Sequence, residues 1–227
     1  LKTKLLLFDI DGTLLTPGGA GVTALILAMK DLLGRDTGLS EIEVAGRTDS
    51  GIARQIFDRH GIEPTAENFS RFFESYLRHL AETLPGSQGS LLPGIVELLE
   101  KLRARPEVAL ALLTGNLVRG ARLKLEHYGV WEYFEFGAFA DDHHDRNQLG
   151  QFAKARALEK HGVDFPPESI YVLGDTPHDI ACGRAIGAKT VAIATGGCTR
   201  EELQAHQPDF LFDDLSDVDK VLKALGI

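Results

Sequence analysis

The sequence predicts an α/β protein: a doubly wound parallel sheet with a block of helices inserted after the first strand. Three observations carry this. Short, wholly apolar runs of strand length recur along the chain, and each stops on a polar cluster. Helical patterns separate the later runs, which is the alternation of parallel β-α-β units. Between the first apolar run and the second lies a long stretch of helical periodicity alone.

The bulk numbers are compatible with that architecture. A chain of 227 residues has room for one sizeable core domain and a smaller one. Apolar residues at 44% and charged residues at 25% are an ordinary globular composition. A net charge of -9 and the lack of a basic run disfavour a nucleic-acid binder. Cys182 and Cys198 stand in no zinc-like spacing and suggest no disulfide framework, which fits a reducing compartment. No apolar run approaches the roughly 20 residues that span a bilayer. No secretory pattern precedes the first strand. The expectation is a soluble cytoplasmic protein whose partner is a small molecule; oligomeric state is not readable.

Taken in order, Leu5-Leu6-Leu7-Phe8 reads as a strand buried on both faces, running into Asp9-Ile10-Asp11-Gly12-Thr13. Gly12 permits a sharp turn at its end. Pro17 to Gly21 is a flexible exit. Val22 to Leu33 is helical, and Gly34 to Ser40 breaks it. Gly46-Arg47-Thr48-Asp49-Ser50-Gly51 is a polar loop, followed by helices over Ile52 to His60 and Thr65 to Leu84. Phe69, Phe72, Phe73, Tyr76, Leu77 and Leu80 recur at helical spacing and read as the insertion's own core. From Pro93-Gly94 a helix runs to Arg103. Strands are then expected at Val108 to Leu113, Phe134 to Ala140, Ser169 to Leu173, Thr190 to Ala194 and Asp209 to Phe212. Helices are expected at Leu117 to Tyr128, Gln148 to His161, Ile180 to Ile186 and Val218 to Leu225.

Sheets of this kind bind ligands at the carboxyl ends of their strands, where strand order reverses. The polar clusters fall at those ends. Asp9 and Asp11 follow the first strand and begin on one side of it. Thr114-Gly115-Asn116 follows the second, Arg146 the third, and Asp175 the fourth, with Asp179 one helical turn on. Taken singly, each has a plain structural reading as a helix cap, first-turn acid or surface charge. Together they suit phosphoryl transfer. Mg²⁺ takes oxygen ligands, commonly one or two carboxylates plus phosphate. A carboxylate can attack phosphorus, while hydroxyl, amide and cationic donors stabilise the transferring group. Asp11 stands where a general acid would protonate the leaving oxygen.

This ordered set resembles the motifs of the haloacid dehalogenase-like (HAD) superfamily, mostly phosphatases, and the resemblance covers essentially the whole chain. It implies a Rossmann-like core with a cap: residues 1–15 and 89–227 as core domain, residues 16–88 as helical cap. It implies Asp9 as nucleophile and Asp11 as general acid/base, with Thr114 binding phosphate. Asp9, Asp11 (through its carbonyl), Asp175 and Asp179 are implied as the Mg²⁺ set. Gly115 and Asn116 would contact substrate. The usual third motif is a Lys followed by Pro, and no Lys-Pro occurs here. Arg146 is the expected replacement and Lys154 its competitor. The insertion is similar to the cap of the phosphoglycolate phosphatase and β-phosphoglucomutase branch, which places Arg47 over the site. Asp11 argues against the dehalogenase branch.

The implied function is a Mg²⁺-dependent phosphatase of a small phosphorylated metabolite, phosphoglycolate by default, acting through an aspartyl-phosphate. A phosphomutase and a phospho-acceptor that does not turn over are the alternatives. Asp141-Asp142-His143-His144-Asp145 reads as a solvated or active-site-rim loop rather than a second metal site, and the two cysteines as structural.

Overall fold

The computed structural model describes residues 1–39 and 41–227. The first strand, β1 (Lys4–Phe8), lies at the centre of the main sheet. A two-residue strand β2 (Leu15–Thr16) leads into the inserted helices α1 (Ala20–Leu33), α2 (Asp49–His60) and α3 (Ala66–Thr83). The chain returns through β3 (Ser90–Leu91), which pairs antiparallel with β2, Leu15 opposite Leu91. This small ribbon ties the two ends of the insertion together, and the flexible exit expected over Pro17 to Gly21 is shorter than that, because α1 already begins at Ala20.

The remainder alternates as expected: α4 (Ile95–Arg103), β4 (Val108–Leu113), α5 (Val118–His127), β5 (Phe136–Ala138), α6 (Arg146–His161), β6 (Ile170–Gly174) and α7 (Pro177–Ala185). It continues with β7 (Lys189–Ile193), α8 (Arg200–Ala205), β8 (Phe210–Phe212) and α9 (Val218–Leu225). The six-stranded sheet has the order β5-β4-β1-β6-β7-β8, and its pairings are parallel. From β1 the chain steps outward through β4 to β5, then crosses back to β6 on the other side of β1. Strand order therefore reverses at β1, which puts the ligand crevice at its carboxyl end.

Burial explains the unbroken apolar runs. Leu6 and Phe8 point into a cluster with Leu98, Leu102, Leu110, Leu112 and Val221 on one face of the sheet. Leu5 and Leu7 pack on the opposite face against Ala111, Leu149, Ala153 and Phe165. The inserted helices have a separate cluster, in which Met29, Phe57, Phe72, Tyr76 and Leu80 are buried, with Phe69 and Phe73 partly so. This is the aromatic stripe doing packing work. Among the described residues no helix is long and apolar enough to cross a membrane.

Several boundaries move for local reasons. Helix α7 begins at Pro177 rather than Ile180, because Thr176 and Asp179 form a capping box and Pro177 fills the first turn. Helix α6 begins at Arg146 rather than Gln148, with the Asp145 carboxylate capping it through the Asn147 amide. Helix α8, not expected, is nucleated by a second capping box of Thr199 and Glu202. Strand β5 is only three residues long, since its partner β4 runs out at Leu113 opposite Ala138. Within the break expected over Gly34 to Ser40, Gly34 caps α1 in a left-handed conformation, and Ser40 lies outside the described residues.

Candidate active site

A cavity of about 540 Å³ lies between the carboxyl edge of the sheet and the inserted helices. Its core side carries Asp9, Asp11, Gly115, Asn116, Arg146 and Asp175. Its insertion side carries Arg47 among apolar groups such as Val22, Leu25, Ile52 and Tyr76.

Asp9 is the first residue beyond β1, and its amide still donates to the Leu173 carbonyl at 2.9 Å, so the ladder fixes its backbone. Arg146, the first residue of α6, is buried beside it, with Nη2 3.1 Å from Asp9 Oδ2. The same guanidinium pairs with Asp179, and its Nη1 donates to the Gly46 carbonyl of the insertion at 3.1 Å. Asp179 is held by the α7 capping box: its Oδ2 accepts from the Thr176 amide at 3.0 Å and hydroxyl at 2.7 Å. Asp175 Oδ1 accepts from the Thr13 hydroxyl at 3.2 Å.

Ligand atoms of Asp9, Asp175 and Asp179 all lie within 4.8 Å of one another, and all three residues are buried. Only the absence of side chains allows this approach. A Cβ on Gly12, whose φ is +82°, would lie 2.3 Å from Asp175 Oδ2, and one on Gly196 would lie 1.6 Å from it. Burial pushes the Asp9 and Asp175 carboxyls above the ordinary range. Arg146 opposes this at both, while the neighbouring carboxylates add to it. Burial also works against charge on Arg146, but Asp179 and Asp9 outweigh it and hold the guanidinium more firmly protonated than usual. Converging buried carboxylates with one cation are short of positive charge. A hard divalent cation with oxygen preference, such as Mg²⁺, fits that donor set.

Beside this cluster on the core side, Asp11 is one-third exposed and belongs to a second polar group. Lys124, buried in α5, donates to Asp11 Oδ1 at 2.8 Å, to Asp11 Oδ2 at 2.6 Å and to Asn116 Oδ1 at 2.7 Å. Asn116 Nδ2 donates to Asp11 Oδ2 at 2.9 Å and to the Thr114 hydroxyl at 2.8 Å. Thr114 is fully buried beneath the cavity rather than lining it.

The inserted helices are docked onto the core at this point. The Asp49 amide donates to the Gly115 carbonyl at 2.6 Å, and its carboxylate accepts from the Leu117 amide at 2.8 Å. Thr48 and Ser50 hydroxyls donate to the His144 carbonyl at 2.6 Å and the Ala140 carbonyl at 2.8 Å. Burial raises the Asp49 carboxyl to about 6, with Lys124 and the Leu117 amide pulling it back. Arg47 lines the cavity from the insertion, half-exposed and paired with Glu43.

The structure brings Asp9, Asp11, Gly115, Asn116, Arg146, Asp175, Asp179 and Arg47 to one place, whereas Thr114, expected to bind phosphate, is buried behind Asn116. Lys154 does not line the cavity. It lies eight residues beyond Arg146 on the same helix, about 12 Å of axial rise away from the strand ends. The Asp141 to Asp145 run does not line the cavity and makes ordinary loop contacts. Asp141 accepts from the Val118 amide, Asp142 pairs with Arg156, and Asp145 caps α6. Cys182 and Cys198 are both free; Cys182 is packed against the Arg146 carbonyl, while Cys198 lines the cavity. Sequence reasoning missed Lys124, Asp49 and Gly196. Lys124 reads like any surface lysine, with nothing beside it in the chain to mark it. Thr48-Asp49-Ser50-Gly51 carries a cap signature, and Thr195-Gly196-Gly197 stands at a strand end.

An open parallel sheet with acidic residues at its switch point, and a helical insertion closing over them, defines a doubly wound α/β core with a cap. Residues 6–184 match the model of the haloacid dehalogenase-like hydrolase family, and the chain belongs to that family. It is similar to the probable phosphatase IndB of Dickeya dadantii, 27% identical over 94% of this chain and 91% of that one. It is similar to a phosphoglycolate phosphatase of Synechococcus elongatus, 26% identical over 94% of both chains. The fold matches a crystal structure of β-phosphoglucomutase from Clostridium difficile, with a TM-score of 0.76 at 16% identity, covering 99% of this chain and 97% of that one.

Proposed function

We infer that the protein is a Mg²⁺-dependent phosphomonoester hydrolase of a small phosphorylated metabolite, working through a phospho-Asp9 intermediate. The observation that carries this is the position of Asp9. It faces the cavity at the sheet's switch point, between Arg146 and Asp175, with Asp11 on the same wall. Residues 1–15 and 89–227 form the catalytic core in this reading, and residues 16–88 the cap that selects substrate.

Asp9 attacks phosphorus with a carboxylate oxygen as the bond to the leaving oxygen breaks. Asp11 gives that oxygen a proton, then takes one from the water that releases phosphate and restores Asp9. Arg146 and the Gly115 amide stabilise the equatorial oxygens, with Thr114 supporting them from below through Asn116. Asp9, Asp175, Asp179 and the Asp11 carbonyl would hold Mg²⁺, which supplies charge neutralisation of the transferring group. Arg47 contacts the leaving group, and the apolar cap wall excludes water from the first step.

Phosphate release from a panel of phosphorylated metabolites, with and without Mg²⁺, tests this. Phosphoglycolate, the substrate named for one relative, and β-glucose 1-phosphate belong in the panel. Multiple turnover that depends on Mg²⁺ supports the hydrolase. An isomerised sugar phosphate without phosphate release would make it a phosphomutase, and one equivalent or none a phospho-acceptor.

A further inference from the structure

We propose that Lys124 is a positioning residue for Asp11: with Asn116 it forms a clamp that fixes the Asp11 carboxylate at the cavity wall. The proposal rests on the phosphatase reading above and adds a residue to it.

The bonding leaves Lys124 no other task. A lysine ammonium has three donors, and all three are spent on Asp11 Oδ1, Asp11 Oδ2 and Asn116 Oδ1 at 2.6–2.8 Å. None remains for a substrate phosphate. Asn116 closes the ring by donating to Asp11 Oδ2 at 2.9 Å, so the carboxylate is gripped from two residues at once. The site is a costly one for a lysine. Its side chain is 4% exposed, and a buried ammonium is tolerated only where its partners satisfy it. Helix geometry explains how it arrives. Side chains lean toward the helix N-terminus, so Lys124, two turns into α5, reaches back to the strand-end loop that carries Asn116.

The clamp matters because Asp11 stands at the start of a turn, one-third open to the cavity. A carboxylate there samples several rotamers unless something holds it. Proton transfer demands placement within hydrogen-bond reach of the leaving oxygen and then of the attacking water. In the step itself Asp11 enters protonated on one oxygen; Asp9 bonds to phosphorus, the phosphorus–leaving-oxygen bond breaks, and Asp11 gives its proton to that oxygen and is left as the carboxylate. Lys124 transfers nothing; it sets where Asp11 stands.

The test is a double-mutant cycle on the full chain with Mg²⁺, using p-nitrophenyl phosphate and the best substrate from the panel. Lys124→Met is expected to lower kcat by about 10- to 100-fold, within the range of a misplaced acid/base group. KM and inhibition by inorganic phosphate should stay within about twofold of wild type, because Lys124 binds neither. In the Asp11→Asn background the same substitution should change kcat by less than about twofold, as residues acting as one unit are not additive. Lys124→Gln, which keeps an amide donor, should recover part of the loss, and it replaces Lys124→Met should that variant fail to fold. A tenfold rise in KM or weakening of phosphate inhibition would overturn the clamp, since Lys124 would then bind substrate. A full loss repeated in the Asp11→Asn background would overturn it as well. Either result leaves the phosphatase reading standing, whereas a wild type without turnover on any phosphate ester removes both.

Discussion

Replacing Arg146 by Ala tests the third-motif assignment and the electrostatics of the cluster together. Arg146 is 7% exposed and lies against Asp9 and Asp179, whose ligand atoms are within 4.8 Å of each other and of Asp175. Without it, the carboxylates face one another with no cation from the chain. Removing one partner of a buried pair costs about 3–5 kcal/mol. For a domain of this size each kcal/mol moves Tm by about 2–4 °C. The expected fall is therefore about 6–20 °C in metal-free buffer, read by calorimetry. Added Mg²⁺ should recover more of the Tm in the variant than in wild type, because it brings positive charge to a cluster that has lost its own. Turnover should fall by at least about 100-fold, the scale of one lost transition-state donor. Lys154→Ala, a change outside the cavity, should stay within about 0.5 kcal/mol of wild-type stability and near the wild-type rate. An Arg146→Ala melt within about 2 °C of wild type would refute the electrostatic reasoning. A larger activity loss in Lys154→Ala would refute the assignment.

Two further outcomes follow from the same geometry. Asp9→Asn keeps the shape of the cluster and removes a buried carboxylate that burial disfavours; turnover should vanish while Tm in metal-free buffer stays level or rises. A variant with a near-normal rate would remove the covalent mechanism. Asp49 has its carboxyl raised from 3.8 to about 6, chiefly by burial. Between those values the folded chain keeps the proton and the unfolded chain has lost it, so stability falls as pH rises toward 6 and levels above. Asp49→Asn lacks that loss and still has an oxygen for the Leu117 amide, so its stability relative to wild type should grow by up to about 3 kcal/mol between pH 4 and 7.5. Urea unfolding at the two pH values measures it, and a constant difference would contradict the burial of that carboxyl.

Local sequence determined what depends on neighbours along the chain. The run Leu5 to Phe8, stopped by a turn signal, suits a strand covered on both faces, and both faces are covered. Helical spacing of Phe72, Tyr76 and Leu80 marked an insertion with its own core, and such a core exists. The acidic strand ends at Asp9 and Asp175 were legible because a parallel sheet places successive strand ends along one edge, whatever the packing details. Thr176-Pro177-His178-Asp179 also held the true start of α7 in its capping box, a local signal that was there to be read.

Tertiary structure decided what depends on residues far apart. Nothing beside Lys124 in the chain marks it as buried; its partner Asp11 stands 113 positions earlier. Arg146 and Lys154 share one helix, and only the docking of α6 against the sheet sends the first into the cavity and leaves the second outside. The need for glycine at 196 exists only because Asp175, from another strand end, approaches to where a Cβ would stand. Asp49 acquires its raised pKa, and its grip on α5, only when the inserted helices close on the core. Periodicity and caps are set within a turn or two of chain. Burial, charge pairing and close approach arise where distant segments meet, which is why the elements could be read in advance and the wiring of the site could not.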